Sequence, residues 1–155
     1  IERIPDAPPI LLVGKRGWYF EELQTHIEKL KLGNRLIWRD DLQDSDLPAV
    51  YNQASVLALP SFYEGFGFPA LEAMACGTVP IVSNRSSLPE VVGSVGAQLE
   101  PDDIDAWAKA LERALTDTPW IVEQRRAGIE RAQLFTWEQT ARIVLDVYGK
   151  VERIR

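Results

Sequence analysis

At 155 residues, with 46% hydrophobic and 26% charged side chains, the chain has the composition of one ordinary globular domain, long enough to bury on the order of 70% of the surface its unfolded form exposes. A net charge of −6 argues against a general nucleic-acid-binding role, which calls for a clustered basic face. One cysteine excludes an internal disulfide, and no window approaches the ~20 apolar residues of a membrane span.

The opening nine residues hold no apolar core and read as a linker, neither signal peptide nor anchor. A short apolar run at 10–13 reads as a strand ending at Gly14, and a helix is expected over 19–32. A second strand at 36–38 leads through Arg39-Asp40-Asp41 to a helix over 47–54, with Asp44-Ser-Asp46 at its start as a cap. The third strand, 56–59, precedes a helix over 69–76, in which Pro69 suits the first helical position and Gly77 the left-handed residue after the last turn. A fourth strand at 80–83, a short turn at 88–92 and a weaker strand at 98–100 follow. Beyond them the chain is helical. Ile104, Trp107, Ala108, Leu111 and Leu115 repeat at the helical period behind an Asp102 cap, a helix is expected near 121–134, and Trp137, Ala141, Val144, Tyr148 and Val151 repeat behind Thr136, with Gln139 completing a capping box. Strands alternating with helices predict an α/β domain, a parallel sheet with helices on both faces. In such open sheets a ligand sits outside the carboxyl ends of the strands, which places Gly14, Arg39 to Asp41, Glu64 to Phe68 and Ser83 to Arg85 along one rim.

Chemistry concentrates in Pro60-Ser-Phe-Tyr-Glu64-Gly-Phe-Gly-Phe-Pro-Ala-Leu-Glu72-Ala-Met-Ala-Cys-Gly77. The helix here starts at a glycine loop, so free amides and the positive dipole end meet a stretch of main chain that a phosphate or sugar can approach. Two carboxylates frame it. A glutamate in a first helical turn is stabilised by the dipole without any ligand, which leaves Glu72 open to a purely structural reading. Glu64 lies before the helix among Phe62, Tyr63, Phe66 and Phe68, where a solvated carboxylate has no structural task.

This stretch resembles the Glu-x7-Glu signature of retaining glycosyltransferases with the GT-B fold, mannosyltransferase-like members of group 1 among them. Gly77-Thr-Val-Pro-Ile-Val-Ser83, Leu88-Pro-Glu-Val-Val-Gly93, Phe135-Thr-Trp137, Ile10-Leu-Leu-Val-Gly-Lys-Arg-Gly-Trp18 and Asp46-Leu-Pro-Ala-Val-Tyr51 extend the similarity over most of the chain. The resemblance implies one Rossmann-like half of a GT-B enzyme, the carboxy-terminal domain that binds the nucleotide-sugar donor. Its partners would be that donor, its own amino-terminal acceptor domain and a saccharide or lipid-linked acceptor. By the same resemblance Glu72 takes the ribose hydroxyls and Glu64 orients the donor sugar. Gly65, Phe66, Gly67 and Phe68 meet sugar and pyrophosphate through the main chain, and Arg39 stands near the base. The family's Arg and Lys pyrophosphate grips are not among residues 1–155, and Lys15 and Arg16 follow a different strand. The chain alone is therefore expected to bind nucleotide weakly and to transfer no sugar. The Val13-Gly-Lys-Arg-Gly-Trp18 run resembles GDP-mannose-dependent enzymes. No cofactor or metal is implied, and the expected location is cytoplasmic, with the longer protein able to sit peripherally at the inner membrane.

Two rivals stay open. Gly65-Phe-Gly-Phe-Pro-Ala70 satisfies the Gly-x-Gly-x-x-Ala fingerprint of a dinucleotide-binding oxidoreductase domain, although four residues separate it from its strand and no acid ends the 80–83 strand. A noncatalytic domain that binds nucleotide sugars would carry the same residues. Among lesser signals, Asp44-Ser-Asp46 reads as capping and not as a metal-holding Asp-x-Asp, and His26 as a surface residue. Cys76 reads as a buried inert thiol, Asn84-Arg-Ser86 as a chance sequon, Lys15 and Arg16 as solvated and Trp18 as packing.

Overall fold

The computed structural model describes residues 4, 7–17 and 20–152; the expectations for Trp18, for the start of the first helix and for much of the opening linker lie outside them. The strands are β1 (Ile10–Val13), β2 (Leu36–Arg39), β3 (Val56–Leu59), β4 (Val79–Ser83) and β5 (Ala97–Leu99). The helices are α1 (Phe20–Lys29), α2 (Leu47–Gln53), α3 (Phe68–Ala75), α4 (Leu88–Val92), α5 (Ile104–Thr116), α6 (Thr118–Ala132) and α7 (Trp137–Glu152). Every strand pair is parallel, as the helical crossovers require.

The strands form two hydrogen-bonded sets where the alternation suggests one sheet. β1 pairs with β2, Ile10 opposite Leu36, and β4 lies between β3 and β5, with Val79 opposite Val56 and Ile81 opposite Ala97. No ladder joins the sets among the described residues. The smaller one is the less consolidated: Leu11, Val13 and Ile37 keep two-fifths or more of their surface exposed, and α1 buries no residue fully.

The core forms around β4, all five of whose residues are buried. Successive side chains of a strand point to opposite faces. Val82 accordingly packs with Ala70 and Met74 of α3, Leu88, Val91 and Val92 of α4 and Ala132 of α6, while Ile81 packs with Trp107 and Ala114 of α5. Cover on both faces is the reason this strand reads as a continuous apolar run without alternation.

The helix ends correct several expectations. α3 begins at Phe68, so Gly67 is its cap and Pro69 stands at its second position; Gly77 is left-handed, φ 76°, as the sequence suggests. Asp103, and not Asp102, caps α5, accepting a hydrogen bond from the Ala106 amide at 3.0 Å. Ala106 is the third helical residue, and a cap side chain reaches that amide from position 103. α6 starts earlier than expected because Asp117 accepts from the Trp120 amide at 3.2 Å. Asp46 does not cap α2: its own backbone is helical, φ −86° and ψ −24°, where a cap needs an extended one. Its carboxylate accepts instead from the Gln43 amide at 2.9 Å, closing the 3-10 turn Asp44–Asp46. At α7, Thr136 accepts from the Gln139 amide at 3.1 Å, one half of the expected box. Trp137, Leu145 and Tyr148 along α7 are exposed.

Candidate functional site

β3 and β4 are parallel neighbours, so the segments that follow them leave from the same rim. Three serines join these segments. Ser83, fully buried, donates to the Ser61 carbonyl; Ser86 donates to the Glu64 carbonyl at 2.6 Å, and Ser87 shares its proton between the Glu64 and Phe66 carbonyls at 3.1 and 2.8 Å. Ser86 takes a positive φ of 57°, uncommon outside glycine, to reach this position. No peptide here is cis, and a trans peptide sets its N–H opposite its carbonyl. Serines behind the Glu64 and Phe66 carbonyls therefore turn the Gly65 and Gly67 amides the other way, at the start of α3.

The two glycines do different things. Gly67 has φ 100°, and a Cβ on it would lie 2.7 Å from the Leu88 side chain, so both conformation and packing demand glycine. A Cβ on Gly65 would meet nothing within 4 Å, which leaves that stretch of main chain open to approach. The aromatic residues brace the loop from one side. Phe66 lies 4.8 Å from Phe68 and receives Phe135 edge-on at 6.0 Å, and the Arg131 guanidinium sits over Phe135 while donating to the Glu90 and Val91 carbonyls of α4.

Each carboxylate is held through one oxygen by a hydroxyl. Ser61 donates to Glu64 Oε1 at 2.7 Å, and Tyr51 of α2 donates to Glu72 Oε2 at 3.1 Å. The second oxygen of each has no hydrogen-bond partner among the described residues. Glu72 stands beyond the first turn of α3, where the dipole effect has faded, so helix stability does not account for it. It borders a hollow of about 450 Å³ between α2 and α3, lined also by Asp44, Leu47, Pro48, Tyr51 and Cys76. Burial first, and the Glu72 charge second, push the Tyr51 phenol well above its ordinary pKa, so it stays a donor throughout the working pH range.

Other candidates fall outside this arrangement. Arg39 is exposed, does not line the hollow and forks onto Asp41 at 2.6 and 3.0 Å; that bond raises the pKa of the guanidinium and lowers that of the carboxyl. Arg16 pairs with Asp40 at 3.1 Å, and His26 is exposed. Cys76 is partly buried beside Glu72, and burial ahead of that charge raises its thiol pKa, in keeping with an inert thiol. Among the described residues no cluster of three metal-ligating side chains occurs. A smaller hollow of about 350 Å³, lined by Gly96, Lys109, Arg113 and Trp120, lies at the amino end of β5, away from the carboxyl rim.

Sequence reasoning put Ser83 on the rim without its bond to Ser61, and missed the roles of Tyr51, Ser61, Ser86, Ser87 and Arg131. The cluster of small hydroxyl residues directly after a buried strand was a usable signal for the serines. Nothing local marks Tyr51, which meets Glu72 from 21 positions away.

Residues 5–135 match the model of a family described as glycosyl transferases group 1. The O-antigen chain mannosyltransferase B of Escherichia coli is 37% identical over 140 residues, which cover 90% of this chain and 37% of that protein. Among solved structures, sucrose-phosphate synthase from Thermosynechococcus elongatus is similar with a TM-score of 0.81 at 32% identity, over 94% of this chain and 39% of that one. The Anabaena protein HepE, in complex with UDP-glucose, shares the fold with a TM-score of 0.84 at 22% identity, over 96% of this chain and 42% of that one. The chain thus spans well under half the length of these relatives. These likenesses agree with the α/β architecture, and the chain belongs to the glycosyl transferases group 1 family.

Proposed function

We propose that this chain is the donor-binding domain of a retaining glycosyltransferase, which takes a sugar from a nucleoside diphosphate, GDP-mannose by preference, and passes it to a saccharide or lipid-linked acceptor held by a second domain. The observation that carries the reading is the paired arrangement of Glu64 and Glu72, each fixed through one oxygen with the other unengaged, on a loop and helix start whose main chain is open to approach at Gly65. Glu72 takes the ribose hydroxyls, Glu64 orients the sugar, and the main chain of Gly65 to Phe68 receives sugar and pyrophosphate. The bond from the sugar's anomeric carbon to the diphosphate breaks, the acceptor hydroxyl bonds to that carbon on the same face, and its proton passes to the leaving diphosphate. The protein's part is positioning and stabilisation of the departing charge, with neither a resident metal nor a cofactor. Mannose is favoured because a close relative bears the name of a mannosyltransferase. The working location is cytoplasmic; no helix among the described residues is long and apolar enough to cross a membrane.

Calorimetric titration tests the class: heat with GDP or UDP and none with NAD is expected, and the reverse would support the dinucleotide-binding alternative. Glu64→Ala is expected to weaken GDP-mannose binding more than GDP binding; equal losses would remove Glu64 from the sugar side. The glycines provide a separate check. Gly67→Ala should destabilise the fold by about 2–3 kcal/mol, and Gly65→Ala should leave stability within about 0.5 kcal/mol of wild type while weakening nucleotide-sugar binding. Unchanged binding by Gly65→Ala would show that no ligand approaches there.

A further inference from the structure

In the hollow between α2 and α3, the group that fixes Glu72 is the phenol of Tyr51. Tyr51 reaches across from α2 to Glu72, and its own placement is tightly determined. Its carbonyl accepts from the Thr78 hydroxyl and from the Ala54 amide at 3.0 Å, and Thr78 is 2% exposed where the chain enters β4. The ring is half-buried along the wall of the hollow. Glu72, in contrast, is an exposed glutamate on a helix surface, and its long side chain would otherwise sample several rotamers.

We propose that Tyr51 is a positioning residue for Glu72: its hydroxyl holds Oε2 so that the carboxylate is already oriented to accept from the two neighbouring hydroxyls of a ribose, and in this way it sets the preference for a ribonucleotide over a deoxyribonucleotide. A carboxylate has about four acceptor positions, so one bond from Tyr51 leaves enough for both hydroxyls. A bond made before the ligand arrives spares the ligand the ordering of that side chain. The phenol remains a donor across neutral pH, because burial and the adjacent charge hold the Tyr51 proton in place. The other ionisable groups at the hollow are Asp44 and Cys76, neither of which is a cationic competitor for Glu72. This inference rests on the reading of Glu72 as the ribose-holding carboxylate.

The experiment is a set of titrations of GDP and of 2′-deoxy-GDP into the wild-type chain, Tyr51→Phe, Glu72→Gln and the double variant, followed by chemical shift so that weak affinities are measurable, with thermal unfolding of each protein in parallel. Tyr51→Phe removes one oxygen and is expected to keep the wild-type unfolding temperature, to bind GDP about three- to tenfold more weakly, and to lose most of the preference for GDP over 2′-deoxy-GDP. In the Glu72→Gln background the same change is expected to have almost no further effect, a coupling that a merely structural tyrosine would not produce. Wild-type discrimination retained by Tyr51→Phe, or equal losses in both backgrounds, overturns the role of Tyr51 while leaving that of Glu72 intact. Equal binding of GDP by wild type and Glu72→Gln is a different result: it overturns the ribose-holding role of Glu72 itself, and the Tyr51 inference with it.

Discussion

Gly96→Ala is expected to lower the unfolding free energy by roughly 4 kcal/mol, a large part of what holds a small domain folded. Gly96 precedes β5 with φ 71°, a left-handed conformation that costs an L-residue about 1–2 kcal/mol. The greater problem is contact. A Cβ at this position would lie 1.7 Å from the carbonyl oxygen of Pro80 in β4, a main-chain atom of a fully buried strand that has nowhere to move. The Gly96 amide also donates to Gln124 of α6 at 2.8 Å, so any retreat of the backbone breaks a partly buried hydrogen bond. Urea unfolding should show a lower midpoint with an unchanged slope, against a Gly65→Ala control that barely moves. A midpoint equal to wild type would mean that β4 and β5 do not approach in this way.

Glu72→Gln is expected to weaken nucleoside diphosphate binding by about 1.5–3 kcal/mol, roughly ten- to a hundredfold, with the fold intact. The amide keeps the length of the side chain but gives up the charge that strengthens each hydrogen bond from a ribose hydroxyl. Glu72 is exposed on α3 while Ala70, Ala73 and Met74 of that helix are fully buried, so the substitution touches none of the core. Calorimetry with GDP and UDP, and a matching thermal melt, separate affinity from stability. An unchanged dissociation constant would sink the role of Glu72.

Much of the architecture was legible from local pattern. Val56–Leu59 and Ile10–Val13 read as strands at their observed bounds because a short apolar run before a polar or glycine segment has few other uses. Gly77 marked the end of α3 because a helix closing in the left-handed region favours glycine. The caps were less legible. Asp102 and Asp103 are chemically equivalent neighbours, and the choice between them depends on where Ile104 starts the helix. Pro69 falls one position later than expected because the loop held by Ser87 makes Gly67 the cap.

The motif loop placed Glu64, Glu72 and their glycines in the sequence before any geometry, because two carboxylates around a glycine-rich helix start form a local pattern. Whether the Glu72 carboxylate is held was a tertiary matter, whereas Glu64 is held by Ser61 three residues before it. Tyr51 meets the Glu72 carboxylate, and Ser86 the main-chain carbonyl of Glu64, only after α2, the loop and the turn after β4 are brought to one rim. Arg39 shows the converse: its place at the end of β2 could be read in advance, but the side chain turns to Asp41 two residues away. The division of the strands into two sets was equally hidden, since each strand's pattern reports burial and says nothing of which edge its backbone pairs with. Periodicity and turn chemistry act within a few residues, and they determined the elements and the site-bearing loop. Hydrogen bonds between segments some 20 residues apart depend on how those elements pack, and packing decided how the Glu72 carboxylate and the Glu64 main chain are held, while the Glu64 carboxylate is held locally by Ser61.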